Sequence, residues 1–434
     1  MALRRVLRVL PALPALVALA APLPAASAAS AATWPARTVA TGGPAFHRDV
    51  VGLPNGTIGT LLKRHAGRSS RLELWVGTRR TLVARSASGH FFEAHLAADA
   101  RGRFVVAYTV VPEGGGARQA FAWTTAGGLQ RLTSGTHSVT TTDVAVAPSG
   151  RAVVTAALAS AQTVAVARGT TAAGFGATIA DVSGGQGDFP ADVGIADDGT
   201  VTVAWQAWQR HAVALARTAW GAAFGAPVTV AVPDMDEIAL AVTAGGRAVV
   251  AVKQTDKLLS GAFTRDVETF TWEPGAAAPG APTVVSQGQA GAPVALAVGE
   301  RAFVLWRQAR TTRTAPSTLG VAVFDGATAT APAGTPRVRL TAPGRGGAGG
   351  LLGRLAVAPS GTGVRPYFTV GGSTHTTHVD TTGRVSGTSV ALGPADGGSL
   401  LAAAEAGGRP VVVWTRQMFG GNAGYRVRIA RPSS

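Results

Sequence analysis

A hairpin phrase that recurs along the chain, apolar alternation on both of its arms, and a strand-like piece at one end that fits a gap at the other predict an all-β fold. The class they point to is a β-propeller of eight four-stranded blades. The phrase is plainest at residues 143–156, DVAVAPSGRAVVTA, where a strand, a turn at Pro148-Ser149-Gly150 and a second strand follow one another. Alternating apolar residues on both sides of a glycine-bearing turn are the signal of a β-hairpin.

Aligned on their turns, the repeats fall at Gly56, Gly102, Gly150, Gly199, Gly246, Glu300 (where the turn is one residue shorter), Gly361 and Gly408. The intervals are 46, 48, 49, 47, 54, 61 and 47 residues. A period of this size belongs to propellers and solenoids, and nothing between the turns keeps the 3.6-residue apolar period of a helical repeat. Seven blades are the alternative count, because the stretch from Gly246 to Gly361 is irregular. Its extra length sits in Pro/Gly-rich segments at residues 273–282 and 327–336, which read as loops within blades.

Each repeat also carries a second, more variable strand pair. Residues 72–76 pair with 81–84, 120–123 with 129–132, 213–216 with 227–230, 269–272 with 283–285, and 321–324 with 337–340. The last repeat has only three strands, the third of them at 425–429. Residues 34–41, WPARTVAT, form a strand with no hairpin of their own. Joined to the last blade, that strand completes it and covers edges that would otherwise invite aggregation.

The chain divides into residues 1–31, read as a secretory signal peptide, a single propeller domain at 32–431, and a tail at 432–434. Arg4, Arg5 and Arg8 precede a short apolar run broken by Pro11 and Pro14, and small residues follow, with cleavage after Ala28 or Ala31. The run is too short and too proline-broken for a membrane anchor. The chain has no cysteine, so there is no lipid-modified cysteine and no disulfide, and stability rests on repeated packing. The expectation is a secreted, extracellular monomer.

The formal charge is +16, three of its arginines lying in the leader. Charged residues are 14% of the chain, and no basic run exceeds two residues. Aromatics are not interleaved with arginines as in nucleic-acid stacking platforms, so no nucleic acid is expected and the scattered charge reads as a solvated face.

The repeat phrase, with turns such as Pro359-Ser360-Gly361 and Asp197-Asp198-Gly199 and a second strand ending in an aromatic, resembles the secreted β-propeller repeats of bacteria loosely related to TolB-like and NHL repeats. The resemblance spans about residues 34–431. It implies a propeller and leaves activity open, since such folds serve as binding platforms, scaffolds and enzymes.

Chemistry-bearing positions follow from the alignment. Asp49, His95, Asp143 and Asp192 stand seven residues before their turns, as does Arg354, and Arg307 and Arg416 stand just past second strands. All are placed on one rim, where a ligand would meet them. Neighbouring acids there could ligate a cation through oxygen or act as paired carboxylates. The competing role is structural, an aspartate at an innermost strand satisfying backbone N–H groups. Trp205, Trp306, Trp414 and Tyr108 recur six residues after the turn and read as core between blades. Trp208 and Trp220 fall off that pattern and are candidates for sugar stacking.

No calcium loop, H-E-x-x-H zinc motif, phosphate loop, G-x-S-x-G elbow or sialidase box is present. No metal or cofactor is expected. The function that fits is a non-enzymatic binding or scaffold module for an extracellular carbohydrate or protein. The alternative is a polysaccharide hydrolase or lyase with its site on the rim, and a third option is an anionic-polymer binder.

Overall fold

The computed structural model describes the chain apart from residues 1–35, 41–44, 67–68, 88–90, 113–114, 159–160, 177–179, 184–190, 208–209, 258–262, 287–289, 309–317, 326–336, 342–354, 371–372, 395–400, 408, 419–423 and 431–434. Thr33–Ser434 is one compact unit. Among the described residues it holds eight antiparallel sheets. No described helix is long and apolar enough to cross a membrane.

Sheet one runs Ala45–Gly52, Ile58–Ala66, Ser69–Val76 and Arg79–Ser86, and sheet two Phe91–Ala98, Phe104–Val110, Gln119–Thr124 and Gly128–Arg131. Sheet three is Val139–Val146, Arg151–Leu158 and Thr163–Thr170, with two short outer pieces, Gly174–Phe175 and Ala180–Asp181, on the third strand. Sheet four is Ala191–Ile195, Val201–Ala207, Ala212–Thr218 and Val228–Ala231, and sheet five Met235–Val242, Ala248–Lys257, Phe263–Trp272 and Thr283–Val284. Sheet six is Val294–Val298, Arg301–Gln308, Thr318–Phe324 and Arg337–Thr341, and sheet seven Ala356–Ser360, Gly363–Val370, Ser373–Val379 and Val385–Pro394. In sheet eight Leu401–Ala406, Arg409–Met418 and Gly424–Ala430 are followed by Ala36–Ala40, which pairs antiparallel to the third strand from Ala36↔Ala430 to Ala40↔Val427.

The turns explain the recurring glycine. In sheets one to five the same two bonds close the hairpin: in sheet three Ala147 N–H donates to the Arg151 carbonyl and Gly150 N–H to the Ala147 carbonyl, both at 2.9 Å. Gly150 then takes a φ of +92°, a conformation that glycine adopts without steric cost. Sheets six to eight use two-residue turns instead, between Val298 and Arg301, Ser360 and Gly363, and Ala406 and Arg409.

The core lies between sheets, not within them. Leu61, Leu74 and Phe104 join sheets one and two, Val153, Val201 and Trp205 join three and four, and Val50, Leu62, Val411 and Val413 join sheet one to sheet eight. Each first strand packs on the first strand of the next sheet, and that of sheet eight packs on that of sheet one. Trp205, Trp306 and Tyr108 are buried in these layers, as their recurring position predicts. Gly320 makes room for Trp306: a Cβ at Gly320 would sit 2.1 Å from its ring. The side chain of Trp414 lies outside the described residues.

Candidate functional site

The first strand of every sheet pairs on one side only, with the second strand. Its other edge carries main-chain N–H groups that need acceptors, and no ladder supplies them. Aspartates on those strands do so. Val50 N–H donates to Asp49 Oδ1 (2.8 Å) and Leu96 N–H, on sheet two, to Asp49 Oδ2 (2.9 Å). Val144 N–H donates to Asp143 Oδ1 (2.8 Å) and Val193 N–H, on sheet four, to Asp143 Oδ2 (2.9 Å). Asp192 in turn accepts from the Leu240 N–H on sheet five. Three carboxylates thus cap equivalent amides on five successive inner strands.

Sheet two has His95 where its neighbours have aspartate, and there a different residue reaches across. Glu93 Oε2 accepts the Thr142 N–H at 3.0 Å. A register shift between Phe91 and Ala94 sets Glu93 off the regular ladder. Glu93 escapes a reading of the sequence confined to one alignment column. An acid two residues before the odd histidine, on the same strand, is the signal that finds it.

These groups are half-buried and share one electrostatic environment. Burial raises the carboxyl of Asp49, against the attraction of His95 and the two amide bonds, and Asp143 adds repulsion. Burial likewise raises Asp143, again opposed by His95 and its amides. Asp192 is driven well above the usual carboxylate range, by burial first and then by the charges of Asp143 and Glu93. His95 thus acts on Asp49 and Asp143, and Asp143 on Asp49 and Asp192, while the oxygens of Asp49 and Asp143 are committed to backbone amides. Among the described residues no group of three or more His, Asp or Glu side chains is arranged to hold a metal ion.

Arg307 is half-buried on the second strand of sheet six, and desolvation lowers the pKa of its guanidinium. Arg416 lies on Arg409–Met418, its side chain outside the described residues, and Arg354 lies outside them altogether. Lys63 is buried, its Nζ donating to the Phe91 carbonyl at 2.7 Å, and Lys253 Nζ is ion-paired with Asp236 (2.6 Å) and Glu237 (3.1 Å). Trp220 is half-buried with the Arg151 guanidinium 5.5 Å from its ring centre, and Trp208 lies outside the described residues.

The opposite, turn-bearing rim is held by arginines. Arg151 Nη1 reaches the Asp198 carbonyl of the next sheet (2.7 Å) and Arg247 Nη1 the Glu300 carbonyl (3.3 Å), with Arg247 Nε on Glu273 at 2.9 Å. Arg217 bonds the carbonyls of Trp272 (2.7 Å) and Glu273 (2.8 Å) while its guanidinium lies 4.3 Å from the Trp272 ring centre. Part of the arginine excess is accordingly architectural. Its sequence signal is an arginine directly after the turn, at 103, 151, 247, 301 and 409.

Solved structures of similar shape are propellers. The chain superposes on the Dos1 propeller with a TM-score of 0.55 and 10% identity, over 92% of this chain and 94% of that one. The fold is a β-propeller. Weaker likeness extends to the β-propeller domain of the Trilobed protease from Pyrococcus furiosus (TM-score 0.42, 9% identity, 88% and 94% of the two chains). It extends also to the polysaccharide lyase Uly1 (0.46, 9%, 77% and 90%). No protein-family model matches the chain, and no curated protein matches it. At such identities the likeness speaks for the fold alone.

Proposed function

We propose that this propeller is an exported, non-enzymatic module that binds or presents an extracellular carbohydrate or protein, the repeat kinship being with TolB-like and NHL-type propellers. The carrying observation is the use made of the inner-strand acids. A carboxylate acting as nucleophile or general base needs an oxygen open to substrate. Both oxygens of Asp49 and of Asp143 accept backbone N–H groups instead. The residues best placed for chemistry hold neighbouring sheets together, and recognition is assigned in this reading to the remaining rim candidates, Arg307, Arg354 and Arg416.

One observation favours a second reading, a polysaccharide hydrolase or lyase. Asp192 is a carboxyl kept protonated into a higher pH range beside the acid Asp143, and unequal carboxyl pairs are what general acid catalysis uses. A glycan array run beside a reducing-sugar and unsaturated-product assay on the same polysaccharides separates the two. Binding without product supports the module. Product formation that Asp192→Asn abolishes, in a variant that still binds, overturns it in favour of the enzyme.

A further inference from the structure

Arg168 and Arg217 occupy the same place in neighbouring sheets. Arg168, on Thr163–Thr170, pairs with Val153 in the ladder of sheet three, and Arg217, on Ala212–Thr218, pairs with Thr202 in that of sheet four. Val153 follows the turn glycine Gly150 at the same interval as Thr202 follows Gly199. Each guanidinium lies over a ring brought by the next sheet, Arg168 at 4.6 Å from the centre of Phe224 and Arg217 at 4.3 Å from that of Trp272.

Their hydrogen bonding differs. Arg217 donates through Nε to the Thr202 hydroxyl (3.2 Å), through Nη1 to the Glu273 carbonyl (2.8 Å) and through Nη2 to the Trp272 carbonyl (2.7 Å). Arg168 donates through Nη1 to the Ala222 carbonyl, while its Nε and Nη2 are buried without an acceptor. Val153 has no hydroxyl to offer where Thr202 has one. Among the described residues no carboxylate is ion-paired with Arg168. Nε and Nη2 form the edge of a guanidinium that grips one oxyanion through two parallel bonds. Left dry and unpaired, donors of a charged group are costly, and an anion placed against them removes that cost.

A strap lies over this arginine. Residues 219–226, AWGAAFGA, connect the third and fourth strands of sheet four; Trp220 and Phe224 are half-buried and the alanines and glycines are exposed. The strap is folded on itself, the Ala222 N–H donating to the Ala219 carbonyl (3.2 Å) and the Thr218 hydroxyl to the Ala223 carbonyl (2.9 Å). It meets Arg168 through the Ala222 carbonyl and the Phe224 ring, and Arg151 through the Trp220 ring.

We propose that Arg168 anchors an anion subsite beneath this strap, where Nε and Nη2 take a carboxylate of an acidic saccharide. Admitting it requires the strap to give up one hydrogen bond and one ring contact at Arg168, and its exposed small residues resist little. Aromatic rings beside a cation suit a ligand with an apolar C–H face and a charged edge, as a uronate ring has. The subsite lies on the turn-bearing side and uses only the carbohydrate branch of the binding reading.

Isothermal titration calorimetry of the full chain with oligogalacturonate, its methyl ester and polyglutamate is the test. The expected result is that wild type binds the acid and not the ester. Arg168→Gln is expected to weaken binding by roughly tenfold to a hundredfold, the loss of a charge-assisted bond. Arg79→Gln, at an exposed arginine of sheet one, is expected to leave it unchanged. Val153→Thr puts a hydroxyl where Thr202 meets Arg217, gives Nε an internal acceptor and is expected to weaken binding severalfold; it serves also if Arg168→Gln fails to fold. Equal affinities of wild type and Arg168→Gln, an equal loss in Arg79→Gln, or an unchanged affinity in Val153→Thr overturns the subsite. Polyglutamate binding more tightly than oligogalacturonate overturns it in favour of an acidic peptide. Failure of wild type to bind the acid also overturns it, while neutral polysaccharides on the glycan array decide the binding reading separately.

Discussion

Asp99 and Asp192 are the same residue type, each capping main-chain amides at a junction of sheets, and they respond to protons in opposite ways. Asp99 opens the turn of sheet two. It accepts the N–H groups of Arg101 (2.9 Å) and Arg103 (3.0 Å), the Arg103 guanidinium (2.7 Å) and the Thr171 hydroxyl of sheet three (2.6 Å). Burial would raise its carboxyl, but the Thr171 and Arg103 bonds outweigh it and hold the pKa low. Asp192 has no cation among the causes of its shift and has Asp143 and Glu93 against it, so burial prevails. The company of the two acids differs: the turn rim supplies Arg103 and the Thr171 hydroxyl to Asp99, whereas the inner edge supplies Asp192 with more acids, so that there burial is reinforced and not offset.

The largest expected effect lies at the turn rim. Asp99→Ala leaves the half-buried Arg103 guanidinium, the Thr171 hydroxyl and two amides without their acceptor, and uncovering such a set costs about 2–4 kcal/mol. Urea unfolding at pH 7 is the check, and a loss below about 1 kcal/mol would mean the rim is solvated.

Asp143→Ala is expected to cost less, about 1–3 kcal/mol for the Val144 and Val193 amides it uncovers. It also relieves Asp192, so its cost should be smaller at pH 8 than at pH 5. Faster hydrogen exchange of the Val193 amide would locate the change at the inner edge. Smallest is Arg151→Ala, which removes a bond to an exposed carbonyl and a contact with Trp220, about 0.5–1 kcal/mol. An effect as large as that of Asp99→Ala would make the arginines, and not the buried acid, the organising groups of the rim.

Much of the architecture was legible because one requirement repeats. The turn glycines fall where a positive φ is needed, at 56, 102, 150, 199 and 246, and the alternating valines follow from each sheet having to bury two faces. The strand at 34–41 could be placed because sheet eight lacked one. The third sheet's outer strands were not visible, since Gly174–Phe175 and Ala180–Asp181 are too short to show a pattern. The candidate site was legible by position only. That Asp49, Asp143 and Asp192 occupy one register could be read from the sequence. That they bond an amide about 48 residues away could not, because such a contact is fixed by how sheets are rotated against each other. Glu93 was hidden by a single register shift.

The central claim is that acids of one kind have opposite proton linkage at the two regions, and one measurement bears on it directly. Urea unfolding free energies of Asp99→Asn and Asp192→Asn, each referred to wild type from pH 3 to 9, give two difference curves. A lowered carboxyl adds stability above its unfolded value, near pH 4, that is lost as pH falls through the folded value, whereas a raised one loses its contribution as pH rises. The prediction is therefore that the wild-type advantage over Asp99→Asn grows with pH and its advantage over Asp192→Asn shrinks with pH. Two curves of the same sign would contradict it.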